Sequence, residues 1–342
     1  MAINRVEIKD FLVFKGEFAV DFCPGVNVLI GGNGTGKTTL IKLMYMACDY
    51  AKKKQKISLV GVEKSELIKF EFISLYFPLI NNDLVAVLGF AEDKDTIYLQ
   101  KNQMNIIIAD GTAPETNISL YGVSNEVSSV FIPTNDMLSH AKGFLALYKE
   151  RDLPFDQTFA DILSKAELPI TREVTTVAAN VIDKIRSVIG GEVVYENDVF
   201  YIQKESGEKT PFSLEASGYR KLGLLWKLLR NGLLESGNIL FWDEPENSLS
   251  PEQVPILVDI LLELSRNGVQ VFVATHSEIL ASYFAVNREK GDIVLFTSLY
   301  KDGEQIKANS SDRFDLLEPN KLTAEIINLY EKEIVKGIGG NV

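Results

Sequence analysis

The stretch Gly31-Gly32-Asn33-Gly34-Thr35-Gly36-Lys37-Thr38 constrains this chain more than any other. It fits the pattern G-x-x-x-x-G-K-[ST] and stands between an apolar run, residues 26–30, and a helical pattern. The helical pattern places Leu40, Ile41, Leu43, Met44 and Ala47 on one face. Four glycines allow successive backbone N–H groups to turn toward one phosphate chain, and the helix that follows adds the positive end of its dipole. Asn33, Gly34, Thr35, Gly36 and Thr39 are therefore expected to cradle phosphates. Lys37 is expected to reach the β- and γ-phosphates and the Thr38 hydroxyl to ligate Mg²⁺.

Composition narrows the class further. In 342 residues, 35 Lys and Arg stand against 47 Asp and Glu, a net charge of −12. That balance argues against a surface coated in phosphate-seeking cations, although a few lysines can still line a local groove. The two cysteines, Cys23 and Cys48, are spaced for neither a disulfide framework nor a zinc site. Residues 1–10 carry charges and lack the apolar segment of a secretory signal, and no apolar run reaches the roughly 18 residues that span a bilayer. A cytoplasmic protein without membrane attachment is expected. Neither repeats nor low-complexity tracts point to a solenoid or a disordered chain.

Along the chain, residues 4–8, 17–22 and 26–30 read as strands. Residues 58–62, 67–76, 84–90, 96–100 and 105–109 are strand-like and separated by Asn81-Asn82-Asp83, Glu92-Asp93-Lys94 and Gly111, as in an antiparallel meander. Residues 133–190 turn helical, above all 170–189, before strand candidates at 192–195 and 199–203. The last third alternates helix 217–234, strand 239–242, helix 251–266 and strand 269–274, the α/β signature of a parallel sheet. Ser250 with Pro251 and Gln253 predicts a capping box, and Gly268 a helix stop. From residue 292 a hairpin around Asp302-Gly303 leads to a closing helix over 321–336. The expected division is a core split between residues 1–56 and 191–342, an antiparallel β lobe at 57–127 and a helical insertion at 128–190.

Two further elements carry chemistry. Ile239-Leu240-Phe241-Trp242 runs into Asp243 and Glu244. A buried strand ending in Asp holds the metal of phosphate-loop proteins, usually through water. Glu244, pointing differently, is placed to polarise a water against a γ-phosphate. Alone, these acids would be a strand meeting solvent; beside the glycine loop they form a metal and general-base pair. Val271-Phe272-Val273-Ala274-Thr275-His276 brings one of two histidines to the carboxyl edge of another strand, where open α/β sheets bind ligands. His140 has no such context and reads as surface.

Asp243-Glu244-Pro245-Glu246-Asn247-Ser248-Leu249-Ser250-Pro251, followed by Ala274-Thr275-His276-Ser277, resembles the ABC-type ATPases of the RecF, SMC and OLD (overcoming lysogenization defect) groups. The D-E-P-E-x-x-L-x-P form is most like the OLD-type branch. Phe11-Leu12-Val13-Phe14 before the glycine loop is similar to the same group, and the resemblance covers residues 1 to about 50 and about 190 to 285. It implies an α/β ABC-ATPase fold with a mixed, mainly parallel core sheet, and ATP with Mg²⁺ as ligands. It implies Thr38 and Asp243 at the metal, Glu244 as catalytic base and His276 as the switch histidine that senses the γ-phosphate. Asn247, Ser248 and Leu249 match the loop that communicates across a dimer.

In this family the signature segment of one subunit completes the nucleotide site of the other. The candidate is Leu214-Glu215-Ala216-Ser217-Gly218-Tyr219-Arg220, with Ser217 and Gly218 as the contact residues. It departs from L-S-G-G-Q: aligning Gly218 with the second glycine puts Ala216 at the serine, leaving Ser217 or Ser213 to substitute, or a weaker contact between subunits. No glutamine loop is evident, and neither Gln100 nor Gln103 has supporting context. These departures bear on hydrolysis rate more than on nucleotide binding.

The insertion at 57–212 holds no sustained heptads, unlike the long coiled coil of SMC proteins. The segment after His276 is too short for the fused TOPRIM nuclease of OLD proteins. The expectation is an ATPase that dimerises on ATP, as a homodimer or higher even oligomer, and controls a separate effector protein, a nuclease or toxin. Similar stand-alone OLD-like ATPases serve bacterial anti-phage defence, including Septu-like and retron-linked systems. The alternative is a RecF-like repair ATPase that clamps nucleic acid, supported by Lys52-Lys53-Lys54-Gln55-Lys56. That run equally makes a solvated, dipole-complementing helix end. A third reading is a structural ATP binder. Phe131-Ile132-Pro133-Thr134-Asn135-Asp136-Met137 reads as a strand running into a capped helix, either a sensor loop or, more simply, packing.

Overall fold

Strands β1 (Arg5–Phe11) and β2 (Phe14–Asp21) form an antiparallel hairpin that leads into β3 (Val26–Gly31), all six of whose residues are buried. The computed structural model describes residues 2–58, 76, 85–90, 103–109, 116–121, 128–151, 155–171 and 176–337. Helix α1 (Lys37–Ser58) starts at the lysine of the glycine loop. Its Leu40, Ile41, Leu43, Met44 and Ala47 are buried, as their helical spacing requires. Strands β4 (Val85–Phe90), β5 (Gln103–Ala109) and β6 (Thr116–Tyr121) follow, then β7 (Ser129–Ile132) and helices α2 (Phe144–Glu150), α3 (Gln157–Ala166) and α4 (Thr176–Ile189). A small antiparallel sheet of β8 (Glu192–Glu196), β9 (Val199–Gln203) and β10 (Lys209–Pro211) precedes α5 (Ser217–Arg230). The chain then runs through β11 (Ile239–Asp243), α6 (Gln253–Arg266), β12 (Gln270–Thr275) and α7 (Glu278–Asn287). It ends in the hairpin β13 (Val294–Asp302) and β14 (Gln305–Ser311), followed by α8 (Lys321–Gly337).

The central sheet has the order β14-β13-β3-β12-β11-β7, and every pairing in it is parallel except β13 with β14. Alternation along the strands sorts the core into two layers. Val28, Ile30, Leu240, Trp242, Val271 and Val273 face the layer built with α3 to α7. Leu29, Ile239, Phe241 and Phe272 face α1 and the β1–β2 hairpin. Helix α3 is fastened to α1 by polar contacts: Lys42 with Asp156 at 2.6 Å, and Tyr45 donating to Asp161 at 2.7 Å. Register then fixes the functional edge, because β12 lies between β3 and β11, pairing Thr275 with Ile30 and Ala274 with Asp243. The ends of three separate sequence segments therefore meet side by side.

Hydrogen bonding does not follow the expected division at residues 57 and 128. β1 and β2 join β4 to β6 in one antiparallel sheet, order β2-β1-β6-β5-β4. β7 is an edge strand of the central sheet, parallel to β11. Its Val130, Phe131 and Ile132 are buried among residues far away in sequence, a partnership that local periodicity does not carry. Strand β6, with Asn117 and Ser119 alternating with apolar residues, was not anticipated, and Tyr76 is helical and buried where a strand was expected. The strand candidates at 59–62, 67–75 and 96–100 lie outside the described residues, while Ser58 closes α1.

Helix ends differ in small ways that have local causes. α5 stops at Arg230 rather than 234, because Gly232 turns left-handed at φ 70° and the Asn231 amide donates to Lys165 O at 2.9 Å. α6 begins at Gln253, not 251. Of the expected capping box only the Gln253 arm forms, accepting from Ser250 N–H at 3.2 Å. Gly268 stops that helix at φ 83°, and Asp302 pairs with Gln305 across the predicted hairpin turn. No described helix is long and apolar enough to cross a membrane.

Candidate nucleotide site

The glycine loop takes a shape that side chains would block. Gly34 and Gly36 have φ of 70° and 88°, and a Cβ on Gly36 would lie 2.7 Å from the Phe14 ring and 2.8 Å from Val13. The opening Val13-Phe14 pair is therefore the floor on which the loop rests. Around Gly32 a Cβ would meet open space, so the loop is open to a ligand there. Thr35 braces the loop by donating to Gly32 O at 2.9 Å. Lys37, only 5% exposed, donates to Gly31 O at 2.8 Å and Gly32 O at 3.1 Å. Burial pushes its ammonium down to about 8, against the pull of Asp243, Glu244 and Glu246. A desolvated cation held mainly by carbonyls is one that phosphate oxygens would satisfy better.

Asp243 is 7% exposed at the end of β11. The Thr38 hydroxyl reaches its two oxygens at 2.9 and 3.0 Å, and the Thr134 hydroxyl donates to Oδ2 at 3.0 Å. Burial holds this carboxyl above its ordinary range while the two hydroxyls pull it back. Among the described residues no group of three or more His, Cys, Asp or Glu could hold a metal ion. A cation here would draw on one carboxylate, hydroxyl oxygens and phosphate, an all-oxygen set that fits Mg²⁺. Thr134 was not among the expected site residues. It sits just past β7, so the 131–137 segment contributes a hydroxyl to the site rather than packing alone, and the signal for it was the apolar run ending in Pro133-Thr134.

Glu244 turns away from Asp243 through a left-handed backbone, φ 47°. Its N–H donates to Ala274 O at 2.8 Å and its carbonyl accepts from Lys221 Nζ at 2.9 Å. His276 stands between Lys37 and Glu244: Nδ1 is 3.4 Å from Lys37 Nζ, and Nε2 is 3.5 Å from Glu244 Oε1. An ammonium only donates, so Nδ1 is the acceptor and the ring proton lies on Nε2, facing Glu244. Burial, then the charge of Lys37, pushes His276 below its ordinary 6.5, which keeps the imidazole neutral at pH 7. Glu246 Oε1 accepts from Thr275 Oγ1 at 2.5 Å and from His276 N–H at 3.3 Å, fixing the turn that carries the histidine.

Lys37, Thr38, Asp243, Glu244 and His276 are thus brought together. Asn33 and Gly34 are exposed on the loop, and Thr39 is half-buried behind Thr38. Ser217 and Gly218 lie at the start of α5. Ser217 donates to Ser248 O at 3.3 Å, and Gly218 packs against Leu249 and Gln253. Ser217, Arg220, Lys221, Thr134, Asn247 and Ser248 share the wall of a cleft of about 570 Å³. Lys52 is exposed and donates to Ser128 Oγ at 3.0 Å, and His140 is exposed as expected.

Two family models match the chain. One, described as "AAA domain, putative AbiEii toxin, Type IV TA system", covers residues 115–282, and one described as "AAA domain" covers residues 5–128. A solved Smc head bound to the C-winged helix domain of ScpA is similar at 13% identity, over 91% of this chain and 98% of that one, with a TM-score of 0.51. An Smc head with an extended coiled coil, bound to the C-terminal domain of ScpA derived from Pyrococcus furiosus, is similar at 11% identity. It covers 97% of this chain and 99% of its own, again at a TM-score of 0.51. At these identities the likeness establishes the fold. Among curated proteins, the DNA repair protein RadA of Rickettsia felis is 29% identical over 119 residues, 34% of this chain and 26% of that protein. The chain spans about a quarter of the length of the curated relatives it matches.

Proposed function

We propose that this chain is an ABC-type P-loop ATPase of the RecF/SMC group, which binds ATP with Mg²⁺ at the glycine loop and hydrolyses it with Glu244 as general base. The observation that carries this reading is the bridge of His276 between Lys37 and Glu244, beside the Thr38–Asp243 pair. Lys37 exchanges its carbonyl partners for β- and γ-phosphate oxygens, with the exposed loop N–H groups around Gly34 supplying the rest of the cradle. Thr38 and Asp243 would hold Mg²⁺, which when bound neutralises charge on the β- and γ-phosphates. Glu244 takes the proton of the attacking water, while the His276 Nε2–H holds its carboxylate in place.

The reading extends to assembly. The contacts of the Ser217–Gly218 turn go to Ser248, Leu249 and Gln253, which suits a role on the nucleotide of a second copy. ATP-dependent pairing of two copies would then control a separate effector, a nuclease or toxin, in anti-phage defence. Support comes from the toxin named in one family description and from the net charge of −12, which favours a protein partner over nucleic acid. The test is Glu244→Gln: ATP retained, turnover lost, and a dimer trapped in size-exclusion chromatography with ATP. Cleavage of DNA or RNA by the purified chain, independent of Glu244, would overturn effector control. A second reading, an ATP-dependent nucleic-acid clamp, draws on the partial likeness to a DNA repair protein. ATP-dependent retention of DNA that falls steeply with salt would favour it.

A further inference from the structure

Lys221 has no part in the phosphate chemistry above, yet it is among the few buried charges of the described residues, at 7% exposure. It lies four residues after Ser217, so both occupy the same face of the first turns of α5. Its Nζ donates to the main-chain carbonyl of Glu244 at 2.9 Å, not to a carboxylate. Glu246, Glu244, Asp136 and Asp243 all face it, and Glu246 Oε2 is buried without a hydrogen-bond partner.

The backbone that Lys221 grips is a strained one. Glu244 has φ 47°, a conformation that residues with a Cβ keep only when the surroundings enforce it. Two contacts do so here: its N–H on Ala274 O at 2.8 Å and Lys221 on its carbonyl. The same turn of α5 is also tied to the segment after Glu244. Ser217 donates to Ser248 O, and Gly218 packs on Leu249, whose side chain would lie 3.3 Å from a Cβ there. The turn that carries Ser217 and the peptide of Glu244 are thus tied to one helix.

We propose that Lys221 is the positioning residue for Glu244: it fixes the left-handed peptide that aims the carboxylate, and it passes contact at the Ser217–Gly218 turn to that carboxylate. The inference rests on the reading of Glu244 as the general base. Lys221→Met keeps the apolar stem and removes the donor. The expected result is a kcat for ATP about 100-fold lower, because small misplacements of a reacting group cost that much, with affinity for a fluorescent ATP analogue within about threefold of wild type. Lys221→Gln keeps a shorter, uncharged donor and recovers part of the loss, and in a Glu244→Gln background Lys221→Met lowers kcat no further. A kcat equal to wild type in Lys221→Met overturns the inference, as does a loss shared equally with nucleotide affinity. Should Lys221→Met not fold, Lys221→Gln decides: kcat about tenfold down at unchanged affinity supports it, and a wild-type kcat overturns it. Full turnover by Glu244→Gln refutes the premise itself, a result that no behaviour of Lys221 can imitate.

Discussion

Thr134→Val removes one hydroxyl and leaves the volume of the side chain nearly unchanged, so it isolates what that hydroxyl gives a buried acid. Its bond to Asp243 Oδ2, at 3.0 Å, serves a carboxylate that is 7% exposed. Hydrogen bonds to charged groups contribute about 1.5–3 kcal/mol, and the lower half of that range applies because Thr38 still serves both oxygens of Asp243. Unfolding entropy of about 2.1 cal/mol/K per residue gives roughly 0.7 kcal/mol/K for a chain of this size, so about 2 kcal/mol corresponds to a Tm lower by about 3 °C. Differential scanning calorimetry without nucleotide measures this, with Thr134→Ser as the control that keeps the donor. If Thr134→Val melts with wild type, or Thr134→Ser loses as much as Thr134→Val, the assignment of Thr134 to Asp243 is wrong.

Gly36→Ala forces a Cβ toward the Phe14 ring at φ 88° and should cost about 2 kcal/mol or more together with ATP affinity, whereas Gly32→Ala, with open space around it, should leave Tm unchanged. Equal Tm for the two variants would contradict the loop geometry. The Arg266 guanidinium, bonded at 2.8 and 2.6 Å, holds the Asp292 carboxyl below its ordinary 3.8. Its stabilisation is complete above pH 3.8 and is lost as pH falls through the lower folded value, so urea midpoints of wild type and Asp292→Asn should converge only below 3.8. Burial raises both thiols, Cys48 up to about 12, but the site of Cys48 is closed while Cys23 is half-buried. Iodoacetamide at pH 8 should therefore label Cys23 in the native protein and Cys48 only on unfolding; equal rates would contradict the packing of α1.

The residues of the candidate site were far more legible in the sequence than the frame that brings them together. Gly31 to Thr38, Asp243-Glu244 and His276 each declare themselves within a few residues, because phosphate and metal chemistry demands particular atoms at fixed local spacing. What brings them together is register: Thr275 beside Ile30 and Ala274 beside Asp243, pairings that span hundreds of residues. β7 was legible as a strand but not in its place, for the same reason: its four buried residues pair with β11, far away in sequence. Thr134 and Lys221 were hidden by chemistry instead. A threonine after a proline and a lysine within a helix are ordinary in sequence, and only the proximity of Asp243 and of the Glu244 carbonyl gives them work.

Wild type and Glu244→Gln, compared in one assay that follows both equilibrium ATP binding and phosphate release, probe the central proposal most directly. A catalytic base in this position contributes about 100-fold or more, so Glu244→Gln should bind ATP as tightly as wild type and release phosphate at least about 100 times more slowly. Phosphate release at the wild-type rate, with ATP bound equally well, would contradict the assignment of Glu244 and with it the mechanism built on the edge of β3, β12 and β11.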